Sequence, residues 1–320
     1  MENNLLLSPF WTRIWAFLID SIILGLFGFI LGIIFKNYFI TLGENAKIIG
    51  WVISMAYFSI LNSKLNNGQT LGKKIMNIQV VDISGTATTL KTSLIRSFIF
   101  TFPFFLNGFK ISGVSQFSAF MILQSIIIFV LGLGIIVFYI FNKETRQSIH
   151  DIIAKTYVVK IQRNTEISFM PKVTKLPFYI TGGIFLIVIF FSVYTLNSKS
   201  EISKLIPVYE ALEKQNNISN AGVTKNFPAI TDRNGIKRFT YTVKIQVKRN
   251  LDLNNNPEAN INTPELIQSV KTFIDSKAYE TDNDILNVVV ISGFDIGIAK
   301  QYDSFNFYKP ISEWKGMLQY

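Results

Sequence analysis

Apolar residues run almost unbroken through long stretches of the first two thirds of the chain, then give way to short periodic patches. A helix needs about 20 largely apolar residues to cross the hydrocarbon core. Residues 10–35, 117–141 and 176–196 meet that length, and the shorter run 46–61 is compatible with a further span. The stretch 94–111 holds Pro103 and Asn107, and its length alone does not choose between a span, a re-entrant piece and an interfacial helix. Residue 10 opens a run too long for a signal-peptide core, with no small-residue cleavage site after it.

Beyond residue 197 the periodicity is that of a folded domain. Residues 201–215 space their apolar positions as a helix does. Residues 238–249 alternate as a strand. Residues 263–277 open with Thr263 as N-cap and Pro264 at the first helical position, then turn amphipathic. Residues 285–292 and 296–308 read as strands of a hairpin joined through Gly293, and the Asn-rich 253–262 reads as a loop. The expected fold class is a membrane α-helical bundle of about five transmembrane helices plus a small soluble α+β domain. The expected units are a transmembrane domain at 1–165, a cytoplasmic linker and last span at 166–197, and an extracytoplasmic domain at 198–320.

Charge supplies the orientation. Residues 1–196 carry 16 Lys/Arg against 7 Asp/Glu, whereas residues 197–320 carry 15 against 14. Four of the cations lie in 62–93 and seven in 142–175, including Arg163 and Lys172; the other connections hold only Lys36, Lys47 and Lys110. Cytoplasmic loops are the ones rich in Lys and Arg. Both rich loops are therefore expected inside, with an even number of crossings between them, which favours 94–111 as a crossing. The N-terminus is then inside and residues after 197 outside, in a multi-pass protein of the cytoplasmic membrane. The excess positive charge sits in the apolar half, so it argues for loop orientation and against a nucleic-acid surface. With no Cys and one His, the chain has no disulfide, no thiol nucleophile and no multi-histidine metal site.

Few residues carry candidate chemistry. Arg13 and Asp20 are seven apart in the first span, so they share a helix face, with Asp20 roughly 10 Å further along the axis. An ionised carboxylate within a span costs about 2.5–3.5 kcal/mol on insertion scales and calls for a partner or a wet cleft. Asp20 is thus either a step in an ion or proton pathway or a packed polar link. Gly25, Gly28 and Gly32 permit close helix approach, and Trp11 and Trp15 suit the membrane interface. The stretch Gly68-Gln-Thr70-Leu-Gly72-Lys73-Lys74 is not a nucleotide loop: three residues rather than four separate its glycines, and no hydroxyl follows the lysine. Lys73 and Lys74 are expected near lipid phosphates, with residues 77–81 in a short hairpin or an amphipathic piece at the inner surface. His150 beside Asp151 has the makings of a proton relay or general base, although no nucleophile accompanies it and a structural role is the simpler reading.

These pieces, spaced and ordered as they are, resemble the RDD family of integral membrane proteins. The resemblance rests on residues 13–20, 68–85, Arg96 and 146–159, and keeps Arg13, Ala16, Ile19, Asp20, Gly68, Thr70, Gly72, Lys73, Gly85, Arg96, His150, Asp151, Ala154, Thr156 and Val158. It spans about residues 8–160 and leaves the last span and 198–320 outside. It implies a bacterial-type membrane protein, and suggests ion or proton-coupled small-solute transport without specifying it. Arg13, Asp20, Arg96, His150 and Asp151 would be the pathway candidates, and Gly68, Thr70, Gly72 and Lys73 the loop motif. Two function classes follow. One is a small transporter, oligomeric because four spans make a narrow pathway. The other is an adaptor or assembly protein whose domain at 198–320 binds an envelope partner. No cofactor is expected, and no catalytic set is visible.

Overall fold

The computed structural model describes residues 7–110, 119–161, 173–197, 202–231, 237–251 and 263–318. The Asn-rich loop at 253–262 and the cations Arg163 and Lys172 lie outside the described residues.

α1 (Phe10–Leu42) runs through the first apolar stretch, leaves helical geometry only at Phe35, and ends at Gly43 with φ 58°. α2 (Ala46–Leu61) returns beside it. Next come the short α3 (Leu71–Ile75), capped by the Thr70 hydroxyl, and the strand β1 (Ile78–Val81). α4 (Leu90–Leu106) is capped by Thr89 and carries Pro103 inside. α5 (Ala119–Phe141), α6 (Ile149–Ile153), β2 (Tyr157–Lys160) and α7 (Leu176–Asn197) complete the first part. Residues Phe10–Leu61 and Phe120–Phe141 are long and apolar enough to cross a membrane, and Leu176–Phe190 is a shorter apolar helix. α4, at 17 residues, falls short of that length.

Residues 77–81 do not make a local hairpin. Asp82 and Gly85 turn the chain back for a single bridge, Val81 to Ala87, and β1 instead pairs antiparallel with β2, Ile78 opposite Lys160 and Val81 opposite Tyr157. The partner lies some eighty residues away, beyond the reach of local periodicity. The ribbon seats Ile78, Val80 and Val158 against Ala16 of α1.

The remainder is an α+β domain: α8 (Ile202–Glu213), β3 (Ile218–Thr231), β4 (Lys237–Val247), α9 (Pro264–Asp275), β5 (Ile285–Asp295), β6 (Lys300–Pro310) and α10 (Ile311–Met317). The sheet order is β3-β4-β5-β6. β4 and β5 are parallel, joined through α9; the other two pairs are antiparallel. Tyr241, Val243 and Ile245 of β4 and Leu286, Val288 and Val290 of β5 face one core with Leu212, Phe273 and Trp314. Two sequence expectations fail here. β3 was not foreseen, because Asn220, Gly222 and Pro228 interrupt its pattern. The β5–β6 turn is not at Gly293, which lies inside β5, but at residues 296–299, where Ile296 N–H donates to the Ala299 carbonyl. Gly293 serves close approach instead: a side chain there would overlap the Gln301 carbonyl.

This domain docks on the Leu42 end of α1. Phe294 and Ile296 of the β5–β6 hairpin join Phe39, Ile40 and Ala46 in one buried cluster. Around it, Lys47 pairs with Glu44 at 3.0 Å and Asp295 at 3.6 Å, and Lys36 with Asp303 at 3.2 Å. Lys110 donates to Glu213 and Asn220.

Candidate functional site

The polar residues of α1 do not pair with each other. Asp20 is fully buried, and its partners are neutral: the Tyr57 hydroxyl at 2.6 Å, the Thr70 hydroxyl at 2.6 Å and the Gly72 N–H at 2.8 Å. Two of these lie at the start of α3, so the carboxylate meets the Gly72 N–H where a helix leaves donors unpaired and favours negative charge. The contact needs glycine at 72, since a Cβ there would overlap the Ala16 carbonyl and come within 3.0 Å of Asp20 Oδ1. Gly68 takes φ 69° and lies so close to Val80 that a side chain would overlap its carbonyl.

Arg13 works on β2 and the loop before α6. Its guanidinium donates to the Arg146 carbonyl and, at 3.0 Å, to the Val158 carbonyl. It also lies 3.9 Å from Asp151. Asp151 is buried and held by Arg96, whose Nε donates to it at 2.8 Å, and by the Thr156 hydroxyl at 3.2 Å. Its other oxygen accepts from the Ser148 N–H and completes the capping box of α6. Burial opposes the charge on Asp151, but Arg96, His150 and Arg13 hold its pKa well below the usual carboxylate range.

His150 Nε2 is 3.2 Å from Arg96 Nη2. A guanidinium only donates, so Nε2 accepts and the imidazole is neutral. Burial pushes its pKa down to about 3; Asp151 raises it, less strongly, and Arg96 and Lys73 lower it. Phe100 covers the ring, edge to face at 5.0 Å. A relay working near neutral pH would need a histidine that titrates there, and His150 does not.

Lys73 turns inward and donates to Asn62 Oδ1 at 2.9 Å, not outward to lipid. Burial first, then Arg96, brings its pKa down to about 7, against the opposing pull of Asp20 and Asp151. Lys74 is exposed, as expected. Lys73 stands electrostatically between the Asp20 set and the Asp151 set. Arg13, Arg96, His150 and Asp151 come together in one cluster, whereas Asp20 belongs to a separate one. Tyr57 and Asn62 escaped the sequence reading. Their signal was weak: a tyrosine with a polar tip inside an apolar run, and an asparagine just past its end.

Residues 7–155 match the family model described as the RDD family. This part of the chain belongs to the RDD family. Neither a curated protein nor a solved structure matches the chain. The RDD domain is a membrane-associated domain, here followed by an additional C-terminal soluble region. Its motif residues sort into two fastenings that tie α1 to the loops around it. Asp20, Thr70 and Gly72 fix α3. Arg13, Arg96, Asp151 and Thr156 fix α6 and β2. Gly25, Gly28 and Gly32 do serve close packing, but against the β5–β6 hairpin rather than another helix: a Cβ on Gly28 would come within 2.8 Å of Ile298, and one on Gly32 would overlap the Phe294 ring.

Proposed function

We propose that the protein is a membrane-anchored adaptor or assembly protein: its RDD domain holds the domain at 198–320 against the outer ends of the helices, where it binds an envelope partner. The observation that carries this reading is the saturation of Asp20, which is buried with three neutral donors and makes no ion pair among the described residues. Asp151 is likewise pinned between Arg96 and the α6 cap. Acidic groups held this way act as fasteners. In reconstituted vesicles with an imposed pH gradient, the full chain should conduct no more protons than empty vesicles. Proton flux that Asp20→Asn abolishes while assembly stays intact would overturn the reading.

Transport of a small solute, with the chain as an oligomer, is the second reading. A cavity of about 220 Å³ between α1, α2 and α4 favours it, as does Lys73, whose charge is poised near neutral pH.

The proposed location is the bacterial cytoplasmic membrane, multi-pass, with units at 1–165, 166–197 and 198–320 and the N-terminus inside. Pairing of β1 with β2 supports it, since it brings the two Lys/Arg-rich loops to one side. The contacts of Lys36, Lys47 and Lys110 support the opposite side for the C-terminal domain. Reporter fusions at residues 90, 165 and 320 should read inside, inside and outside. An inside signal at 320 would sink the five-span arrangement.

A further inference from the structure

The cavity between α1, α2 and α4 is lined by Phe17, Leu24, Phe58, Phe100, Phe104 and Phe105, with the hydroxyls of Ser21, Ser54 and Thr101 among them. At one end Phe58 and Phe100 close it, their rings 5.7 Å apart, and Phe100 backs onto His150. At the other end its lining is not helical: Gly297 and Ile298 come from the tip of the β5–β6 hairpin.

The hairpin tip is built into the bundle from both sides. α1 offers Gly28 and Gly32 to Ile298 and Phe294, and α2 offers Gly50 to the Ile296 carbonyl. On the hairpin side, Gly297 takes φ 80° and lies against Phe105 so closely that a side chain would overlap the ring. Gly50, which meets Ile296 and Ile298, is four residues into α2 from Ala46, so the tip reaches about 6 Å below that end of the helix at 1.5 Å per residue. Non-helical backbone at membrane depth persists only where protein buries it or where it lines a cavity. The turn meets its own polar needs through Ile296 N–H to Ala299 and Gly297 N–H to Asp295, at 3.0 and 2.7 Å. The Asp295–Lys47 pair fixes the hairpin at the rim.

We propose that this cavity is a binding site for a small neutral, mainly apolar molecule, and that the hairpin tip is the lid over one end of it. The lining contains no charged side chain. An ion would lose its hydration there without compensation, whereas an apolar molecule with a single hydrogen-bonding group could meet a hydroxyl of Ser21 or Ser54; the Thr101 hydroxyl is already held by the Trp51 N–H and the Ser97 carbonyl. The side of the cavity between α1 and α4 is open past Phe17 and Phe104, which are 39% and 56% exposed; at the hairpin end, entry requires that Ile298 withdraw, so access from that end and the position of the C-terminal domain are coupled.

The chain has no cysteine, which makes a single introduced thiol a clean reporter. Ser54→Cys, nearly isosteric, places one in the wall of the cavity. With the hairpin intact, full-length protein in vesicles should react slowly with N-ethylmaleimide, which is small and neutral. Replacing residues 296–299 by Asn-Gly, a two-residue turn that suits a hairpin, should raise the rate about tenfold or more, equivalent to removing about 1.4 kcal/mol of opening cost. Ile298→Ala, which keeps the hairpin backbone, should raise it by less and covers the case in which the shortened hairpin misfolds. A sulfonate-bearing thiosulfonate reagent should remain slow in both. Equal maleimide rates in all three chains would overturn the lid. Equal rates for the charged and neutral reagents in the opened chain would overturn the neutral site.

Discussion

Asp20 accepts hydrogen bonds from neutral groups, so its loss acts through geometry rather than through a stranded cation. Asn in its place keeps one acceptor oxygen but turns an N–H₂ toward either the Thr70 hydroxyl or the Gly72 N–H and the Tyr57 hydroxyl. A hydrogen bond to a charged group contributes about 1.5–3 kcal/mol. Asp20→Asn should cost roughly that amount, measured as a lower melting temperature in detergent and faster degradation in cells. Unchanged stability would mean that the α3 cap does not hold the loop. His150 makes a second residue-scale prediction. In the folded protein its pKa is about 3, against about 6.5 in an unfolded chain. Between those values the unfolded state binds the extra proton, so stability falls as pH drops from about 6.5 toward 3. One such group contributes a slope of up to about 1.4 kcal/mol per pH unit. His150→Gln, which can still accept from Arg96, should flatten melting-temperature profiles across that range. An identical slope in both proteins would place the acid sensitivity elsewhere, Asp151 adding its own loss only as pH falls through the carboxylate range.

The elements were legible to different depths. Helices α1, α2, α5 and α7 follow directly from their apolar runs, and α9 from its Thr-Pro start. Asp20 and Arg13 stood out because charge inside an apolar run is costly. Their partners were hidden for a physical reason. Arg13 binds backbone carbonyls, and every residue supplies a carbonyl. Asp20 binds a backbone N–H and two hydroxyls of types common along the chain. The glycines of α1 announced close packing, but nothing local names what packs. That face yields an element-scale prediction. Gly50→Ala adds a Cβ that would overlap the Ile296 carbonyl, although alanine favours a helix by up to about 1 kcal/mol over glycine. Gly132 and Gly183 have nothing within 4 Å of such a Cβ. Gly50→Ala should destabilise the chain by about 1–3 kcal/mol, the usual cost of overpacking, and expose the β5–β6 hairpin to protease. Gly132→Ala and Gly183→Ala should be neutral or stabilising. Equal behaviour of all three would argue against the docked hairpin.

At the scale of the whole molecule, the sequence suggested a domain at 198–320 that folds alone. Its main core supports that, since Tyr241, Leu266, Phe273, Leu286 and Trp314 are buried without help from α1. Phe294 and Ile296, however, are buried against Phe39, Ile40 and Ala46. Expressed alone, residues 198–320 should melt cooperatively yet self-associate or bind detergent through the hairpin tip. Phe294→Ser with Ile296→Ser should restore a monomer in size-exclusion chromatography without lowering the melting temperature. A wild-type fragment that is monomeric and binds no detergent would show that the tip refolds onto its own domain.

The inserted hairpin also sets an order of events during synthesis. Residues 294–299 leave the ribosome after every helix of the bundle, and β5 and β6 must pair before their turn has a shape to insert. Until then the glycine face of α1 and α2 stands unfilled. Each new molecule therefore passes through a stage with all its membrane helices made and its groove vacant. A chain truncated before residue 285 would be held at that stage, open to lipid, to quality-control proteases or to another protein's apolar turn.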